Sequence, residues 1–277
     1  MKKFTIQKIC AAIVLSLVSV PAMAGSISVK GSDTMVVLGQ KWAEAYMAAH
    51  PATTLQVTGG GSGTGISALI NGTTDVCQSS RPIKDAEKEK LRERFSTTGV
   101  EVPVAKDGLS VYVNAATPVD ELTLDQVKQI FQGKVTNWKD VGGPDLKITP
   151  YSRENSSGTY VFFKDVVLKG GDFSPRAQTL PGTAAVVNAV ARDKTAIGYG
   201  GAAYAKGIKV LRIKKDAGSP AIAPNAATVK DGSYALARNL FFYVRNKPTG
   251  EIKEFIDWVL SAQGQAVVVK VGYFPIH

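Results

Sequence analysis

The sequence predicts an α/β protein of two lobes, each a mixed sheet flanked by helices, joined by two strands that cross between them. Three observations lead there. Short β-branched runs alternate with longer amphipathic runs over the first third in the order βαβαβ, which requires a parallel open sheet. A second alternating set fills the middle of the chain. Two long strand candidates, 106–114 and 239–246, bracket that middle set, so they are placed to carry the chain across and back.

In chain order, SISVKG (26–31) reads as a strand, and Val37, Leu38, Trp42, Ala45 and Tyr46 repeat after it at helical spacing. TLQVTG (54–59) reads as a strand, TGISALING (64–72) as a helix closed by Gly72, DVCQSS (75–80) as a third strand and the charged 84–95 stretch as a solvated helix. KDGLSVYVN (106–114) opens the crossing. Beyond it come a helix at 124–131, a turn at GKVTNW, a strand at 147–152, a helix from about Gly158, another at 183–193 and the strand AIGYGG. NLFFYVRN (239–246) is the return strand, and EIKEFIDWVL and AQGQAVVVKVG are two closing helices. The lobes are therefore expected as 25–107 with 237–277, and 108–236. Trp42, Trp138 and Trp258 fall at amphipathic or turn positions and are expected in packing, and Cys77 reads as a small buried hydrophobe.

Residues 1–24 stand apart. The basic MKKFTIQK, the apolar ICAAIVLSLVSV and the box PAMA before Gly25 read as a secretory signal cleaved after Ala24, which implies a periplasmic protein. The apolar run is short for a membrane span. Cys10 lies inside it, away from the cleavage site, so no lipid anchor is expected there.

Without Lys2, Lys3 and Lys8 the formal charge falls from +10 to +7, still basic. Outside the cytoplasm that excess points less to nucleic acid than to small anions, an anionic surface or solubility alone. With Cys77 alone beyond the leader, no intramolecular disulfide can form and packed cores must supply the stability. His50 and His277 are remote from each other, so a Cys/His metal site or a Ser-His-Asp triad lacks material; no metal or cofactor is expected.

Three loops carry the remaining chemistry: GSDT (31–34), GGGSGTG (59–65) and SRENSSGT (152–159). Each follows a strand end, mixes hydroxyl residues with glycine and opens a helix. The first turn of a helix leaves backbone N–H groups unpaired and carries partial positive charge, and an oxyanion satisfies both. Arg153 adds a planar two-pronged donor, and Arg81 in QSSRP ends a further strand. Helix capping alone accounts for any one loop. Three together point to a shared anion site. The glycine loop lacks the lysine of a nucleotide-phosphate cradle, since Ile66 stands there. GTGISA (63–68) matches a dinucleotide fingerprint, but no acidic ribose ligand follows at the required distance.

GSDT, GGGSGTGI, SSRPI, SRENSSGTY and the closing EFIDWVLSAQGQAVVVKVGYFPI resemble, in order and over the whole chain beyond the leader, the periplasmic phosphate-binding proteins of ABC importers. The resemblance implies a two-lobed type II solute-binding fold, a monomer that is not an enzyme, and inorganic phosphate and a membrane permease as partners. It implies ligand roles for Ser32 and Thr34, for Ser62, and for Arg153, Ser157, Gly158 and Thr159. Asn155 stands where some relatives brace the arginine with an acid. Arg81 stands where well-known members place an aspartate that accepts the proton of hydrogen phosphate and so rejects sulfate; a subset of the family has arginine there. Asp33 is then either a substitute acceptor or an N-cap, while Arg81 is expected to face the cleft as a second positive charge and to bind phosphate, the alternative being a salt-bridged turn residue. Two rival functions stay open: a binding protein for sulfate, molybdate or tungstate, and an exported phosphatase with a loop serine as nucleophile, for which no activating base is at hand.

Overall fold

The computed structural model describes residues 25–276; the signal segment expected at 1–24 and the residue His277 lie outside the described residues. The chain opens with β1 (Gly25–Gly31), α1 (Asp33–Ala49), β2 (Thr53–Thr58), α2 (Ser62–Asn71), β3 (Val76–Ser79), α3 (Asp85–Phe95) and β4 (Val100–Gly108). It continues through β5 (Ser110–Val113), β6 (Glu121–Thr123), α4 (Leu124–Phe131), β7 (Thr149–Arg153), α5 (Gly158–Val166), β8 (Gln178–Leu180), α6 (Gly182–Arg192) and β9 (Ala196–Gly200). Then come β10 (Lys209–Val210), β11 (Arg212–Lys214), α7 (Ala226–Lys230), β12 (Ala237–Val244), α8 (Gly250–Leu260) and α9 (Ala262–Val271).

Two five-stranded mixed sheets result, one ordered β2-β1-β3-β12-β4 and the other β10-β5-β9-β7-β8, with a small β11-β6 ribbon beside the second. The βαβαβ reading is met: β1 pairs in parallel with both β2 and β3. The return strand β12 then lies antiparallel to β3 and β4, so the late segment of the chain completes the first sheet.

The expected strand over 106–114 is divided. Its first part ends β4 in the first sheet at Gly108, and its second part is β5 of the other sheet, from Ser110. Between them the Leu109 N–H bonds to the carbonyl of Leu236, so the outgoing and returning chains cross side by side. Gly108 permits this turn: a Cβ there would stand 2.6 Å from Pro224 Cβ. The strand also begins earlier than its apolar pattern announced, at Val100, because Pro103 interrupts the run. A proline is tolerated at a sheet edge, and β4 is the edge strand. The ladder shifts register at Leu240/Phe241, opposite Pro103 and Ala105.

Each sheet has its own core. Ile27, Val29, Leu240, Phe242 and Phe255 pack around Trp42 on the first. Phe131, Trp138, Phe163 and Tyr199 dominate the second, with Phe163 and Tyr199 stacked at 3.9 Å. Trp42 also donates its indole N–H to the carbonyl of Gly264 at 2.8 Å, pinning α1 to α9. Trp42→Ala should cost about 3–5 kcal/mol of stability, from lost burial, the cavity left behind and a stranded carbonyl. Urea unfolding checks it, and a loss below about 1 kcal/mol would mean that the site collapses to fill the void. Cys77 is fully buried within β3, and burial pushes its thiol far above the ordinary range. After α9 the chain turns back to the crossing: Phe274 exchanges backbone hydrogen bonds with Lys106, and Tyr273 donates its hydroxyl to the carbonyl of Thr34 at 2.7 Å.

Candidate functional site

Helix N-termini from both sheets converge where the sheets meet. β1 delivers Ser32 and Thr34 at the start of α1, the loop after β2 delivers Ser62 at the start of α2, and β7 delivers Arg153, Ser157, Gly158 and Thr159 at the start of α5. All three loops predicted from the sequence are thus brought together. Their contacts cross from one sheet to the other. Thr34 Oγ1 and Thr159 Oγ1 lie 2.8 Å apart, and the Gly63 N–H donates to the carbonyl of Ser156 at 2.9 Å. Gly61, with φ at 94°, occupies a left-handed conformation and comes so close to the Ser156 carbonyl that a Cβ would stand 2.5 Å from it.

The hydroxyls here are buried and linked. Ser32 Oγ donates to Ser80 Oγ at 2.9 Å, Ser62 Oγ accepts the Ser80 N–H at 3.0 Å, and Ser62 and Ser80 hydroxyls are 3.3 Å apart. Ser157 caps α5 by accepting the Tyr160 N–H at 3.3 Å. Ser32 makes no such cap for α1, so its hydroxyl faces the cluster. Buried hydroxyls beside helix N-termini form a donor-rich cluster suited to an anion.

Arg153 supplies the charge and is 1% exposed. Its Nε and Nη2 donate to Glu154 at 3.0 and 2.8 Å, Nη1 donates to Thr183 Oγ1 at 2.8 Å, and Nη2 also reaches Asp33 Oδ2 at 3.0 Å. Glu154, not the Asn155 position, braces the guanidinium. Burial pushes the Glu154 carboxyl up, but hydrogen bonds and charge from Arg153, with the Gly182 N–H, outweigh it and hold the group below the usual carboxylate range. Asp33 is no N-cap: as the first residue of α1 it accepts the Gly60 N–H at 2.8 Å and spans to Arg153 on the other sheet. Tyr204 ties the same residue down by donating to its carbonyl at 2.7 Å.

The structure does not bring Arg81 into this cluster, which corrects its reading as a cleft cation. Its Nη1 and Nη2 donate to Glu87 at 2.8 and 2.7 Å, Nη1 also meets the Pro82 carbonyl, and the buried Nε has no partner among the described residues. The physical cause is local. Glu87 is the N3 residue of α3, already turned back to accept the Lys84 N–H, and so it presents its carboxylate to the preceding turn. Burial raises the Glu87 carboxyl, and the bonds from Arg81 and Lys84 more than offset that, leaving it lowered. The neighbour, Ser80, joins the cluster instead, through its bonds to Ser32 and Ser62. Sequence reasoning passed over Ser80, although its motif SSRP was in view, because the charged residue drew the inference. Glu154 and Thr183 carried no signal apart from adjacency to Arg153 and a place at a helix start. Arg238 and Asp107, which also reach the cluster, carried none at all.

A family pattern described as a PBP superfamily domain matches residues 19–263. A phosphate-binding protein PstS of Pseudomonas aeruginosa is 35% identical over 271 residues, covering 92% of this chain and 84% of that protein. A phosphate-binding protein PstS of Staphylococcus haemolyticus is 37% identical over 254 residues, covering 88% of this chain and 79% of that one. The crystal structure of a phosphate ABC transporter substrate-binding protein with bound phosphate from Clostridium perfringens superposes with a TM-score of 0.83 at 28% identity, covering 91% of this chain and 100% of that one.

Proposed function

The chain belongs to the PBP superfamily, among the PstS phosphate-binding proteins, and from that membership we propose that it captures inorganic phosphate between its two sheets and delivers it to an ABC-type permease. The observation that carries this reading is the meeting of three helix N-termini, seven buried hydroxyl or guanidinium groups and Gly158 on a line between two independently packed sheets. Phosphate would exchange its hydration shell for N–H, hydroxyl and guanidinium donors. Its preference for the closed form would shift the lobe equilibrium and present the permease with a defined shape. We take the lobes as 25–107 with 237–277 and 108–236, with the hinge in the strands near 106–109 and 236–242. The ligands are Ser32, Thr34, Ser62, Ser80, Arg153, Ser157, Gly158 and Thr159. The protein acts as an exported monomer and does no covalent chemistry. His50, which a hydrolase would need beside a serine, stacks on Tyr46 at the far end of α1.

The test is direct. The protein is unfolded to strip bound anion, refolded and titrated with phosphate, sulfate and molybdate by calorimetry. Phosphate binding with the others excluded supports the reading, and preference for sulfate or molybdate overturns it in favour of another oxyanion.

Asp33 is our candidate for the residue that sets the preference. A carboxylate accepts but cannot donate, so beside the anion it favours hydrogen phosphate, which has a proton to give, over sulfate, which has none. Asp33→Asn should weaken phosphate about 10- to 100-fold, the range of a hydrogen bond to a charged group, while sulfate gains as a like charge disappears. Competition calorimetry at one pH gives the ratio of the two affinities. An unchanged ratio assigns the selectivity elsewhere.

A further inference from the structure

Arg238 and Asp107 face each other near the end of the β4–β12 ladder, one residue before the strands part from the first sheet. Both are buried. Nε and Nη2 of Arg238 donate to Asp107 Oδ2 at 3.0 and 2.8 Å. Neither charge stays within its own sheet. Arg238 Nη2 donates to Thr159 Oγ1 at 2.9 Å, and the guanidinium lies over the ring of Phe162, both on α5 of the second sheet. Asp107 Oδ1 accepts the Ala202 N–H at 3.0 Å, just past β9 of the second sheet. On the first sheet, Arg238 Nη1 holds the carbonyl of Ser80 at 3.2 Å.

We infer that Arg238, held by Asp107, is a positioning residue of the anion site, because it occupies one lone pair of the Thr159 hydroxyl, which biases that hydroxyl to donate, and fixes the turn that carries Ser80. This rests on the phosphate-binding reading above. A hydroxyl has one hydrogen and two lone pairs, while a guanidinium only donates. The Arg238 N–H therefore occupies one of the two lone pairs of Thr159 Oγ1 and turns the Thr159 hydrogen away from the guanidinium, toward Thr34 Oγ1 at 2.8 Å or an anion oxygen. Backbone groups do the same for two other cleft hydroxyls: the Tyr160 N–H for Ser157 and the Ser80 N–H for Ser62. Among the proposed ligand hydroxyls, Thr159 is the one oriented by a side-chain charge. Packing alone gives no reason for that charge, since a buried ion pair carries a desolvation cost that an apolar pair at the same strands would avoid.

The experiment is a double-mutant cycle on phosphate affinity, read by calorimetry. Arg238→Met is combined with Asp107→Leu so that no buried charge is orphaned, and Thr159→Val is made in the parent and in that double variant. In the parent, Thr159→Val should weaken phosphate by about 30-fold or more; in the charge-free background it should add less than about 3-fold, a coupling of about tenfold. A merely structural role for the pair would lower the melting temperature and leave the Thr159→Val effect the same in both backgrounds. That additive result, or phosphate affinity of the apolar pair within about 3-fold of the parent, would overturn the inference. Should the apolar pair not fold, Arg238→Lys gives the same cycle, because a single ammonium keeps the charge beside Asp107 but cannot span Thr159 and the Ser80 carbonyl as well. Failure of the parent itself to bind phosphate would instead count against the functional reading.

Discussion

Arg153→Ala should weaken phosphate binding by at least about a thousandfold, a loss of roughly 4 kcal/mol. Two effects add. The anion loses a charge-assisted donor in a buried setting, where such bonds are worth about 1.5–3 kcal/mol each. At the same time Asp33 and Glu154, both paired to Arg153 in the structure, are left facing the anion as uncompensated carboxylates. The site changes from balanced to repulsive. Arg153→Lys should recover only part of the loss, because one ammonium cannot serve Glu154, Thr183 and Asp33 together as the guanidinium does. Calorimetry on refolded protein measures both, with circular dichroism to establish that each variant is folded. Binding of Arg153→Ala within a few-fold of the parent would remove Arg153 from the ligand set.

Gly158→Ala should do nearly as much damage with a single methyl group. A Cβ at this position would stand 2.3 Å from Ser62 Oγ and 2.7 Å from Ser80 Oγ, and 2.9 Å from Ser62 Cβ. Those atoms belong to the first sheet and Gly158 to the second. The clash therefore opposes the approach of the two sheets rather than the folding of either. The expected result is a loss of phosphate affinity of about 100-fold or more with the melting temperature of the anion-free protein nearly unchanged. Small-angle scattering adds the shape: the variant should stay expanded at phosphate concentrations that compact the parent. Compaction equal to that of the parent would mean that the serines rotate aside and that Gly158 is not the contact that limits closure.

The parts of this molecule visible in its sequence are those whose information is local. The parallel βαβαβ start follows from hydrophobic period and helix closure at Gly72, and the three loops follow from glycine and hydroxyl residues at strand ends. What escaped is set by contacts far along the chain. The split of 106–114 between two sheets depends on packing by Pro224 and on the bond from Leu109 to Leu236. Arg81 shows the same lesson within one turn. A charge beside a predicted site attracts a functional role, yet a helix-capping glutamate six residues on claimed it, and the unremarkable Ser80 joined the hydroxyl cluster. Asp107 and Arg238 lie 131 residues apart and meet only because their strands pair, so no motif could have linked them.

The burial of Cys77 has a practical consequence. Thiol reagents attack the thiolate, and a side chain with no exposure and a thiol pushed far above its ordinary range offers almost none. Among the described residues Cys77 is the free cysteine, so those residues present a surface silent to maleimides. One cysteine engineered on the rim of α1 and another near Tyr204 could then be labelled as a fluorescent pair without deleting the native residue. The distance between the two dyes would report opening and closing of a single molecule, with and without phosphate.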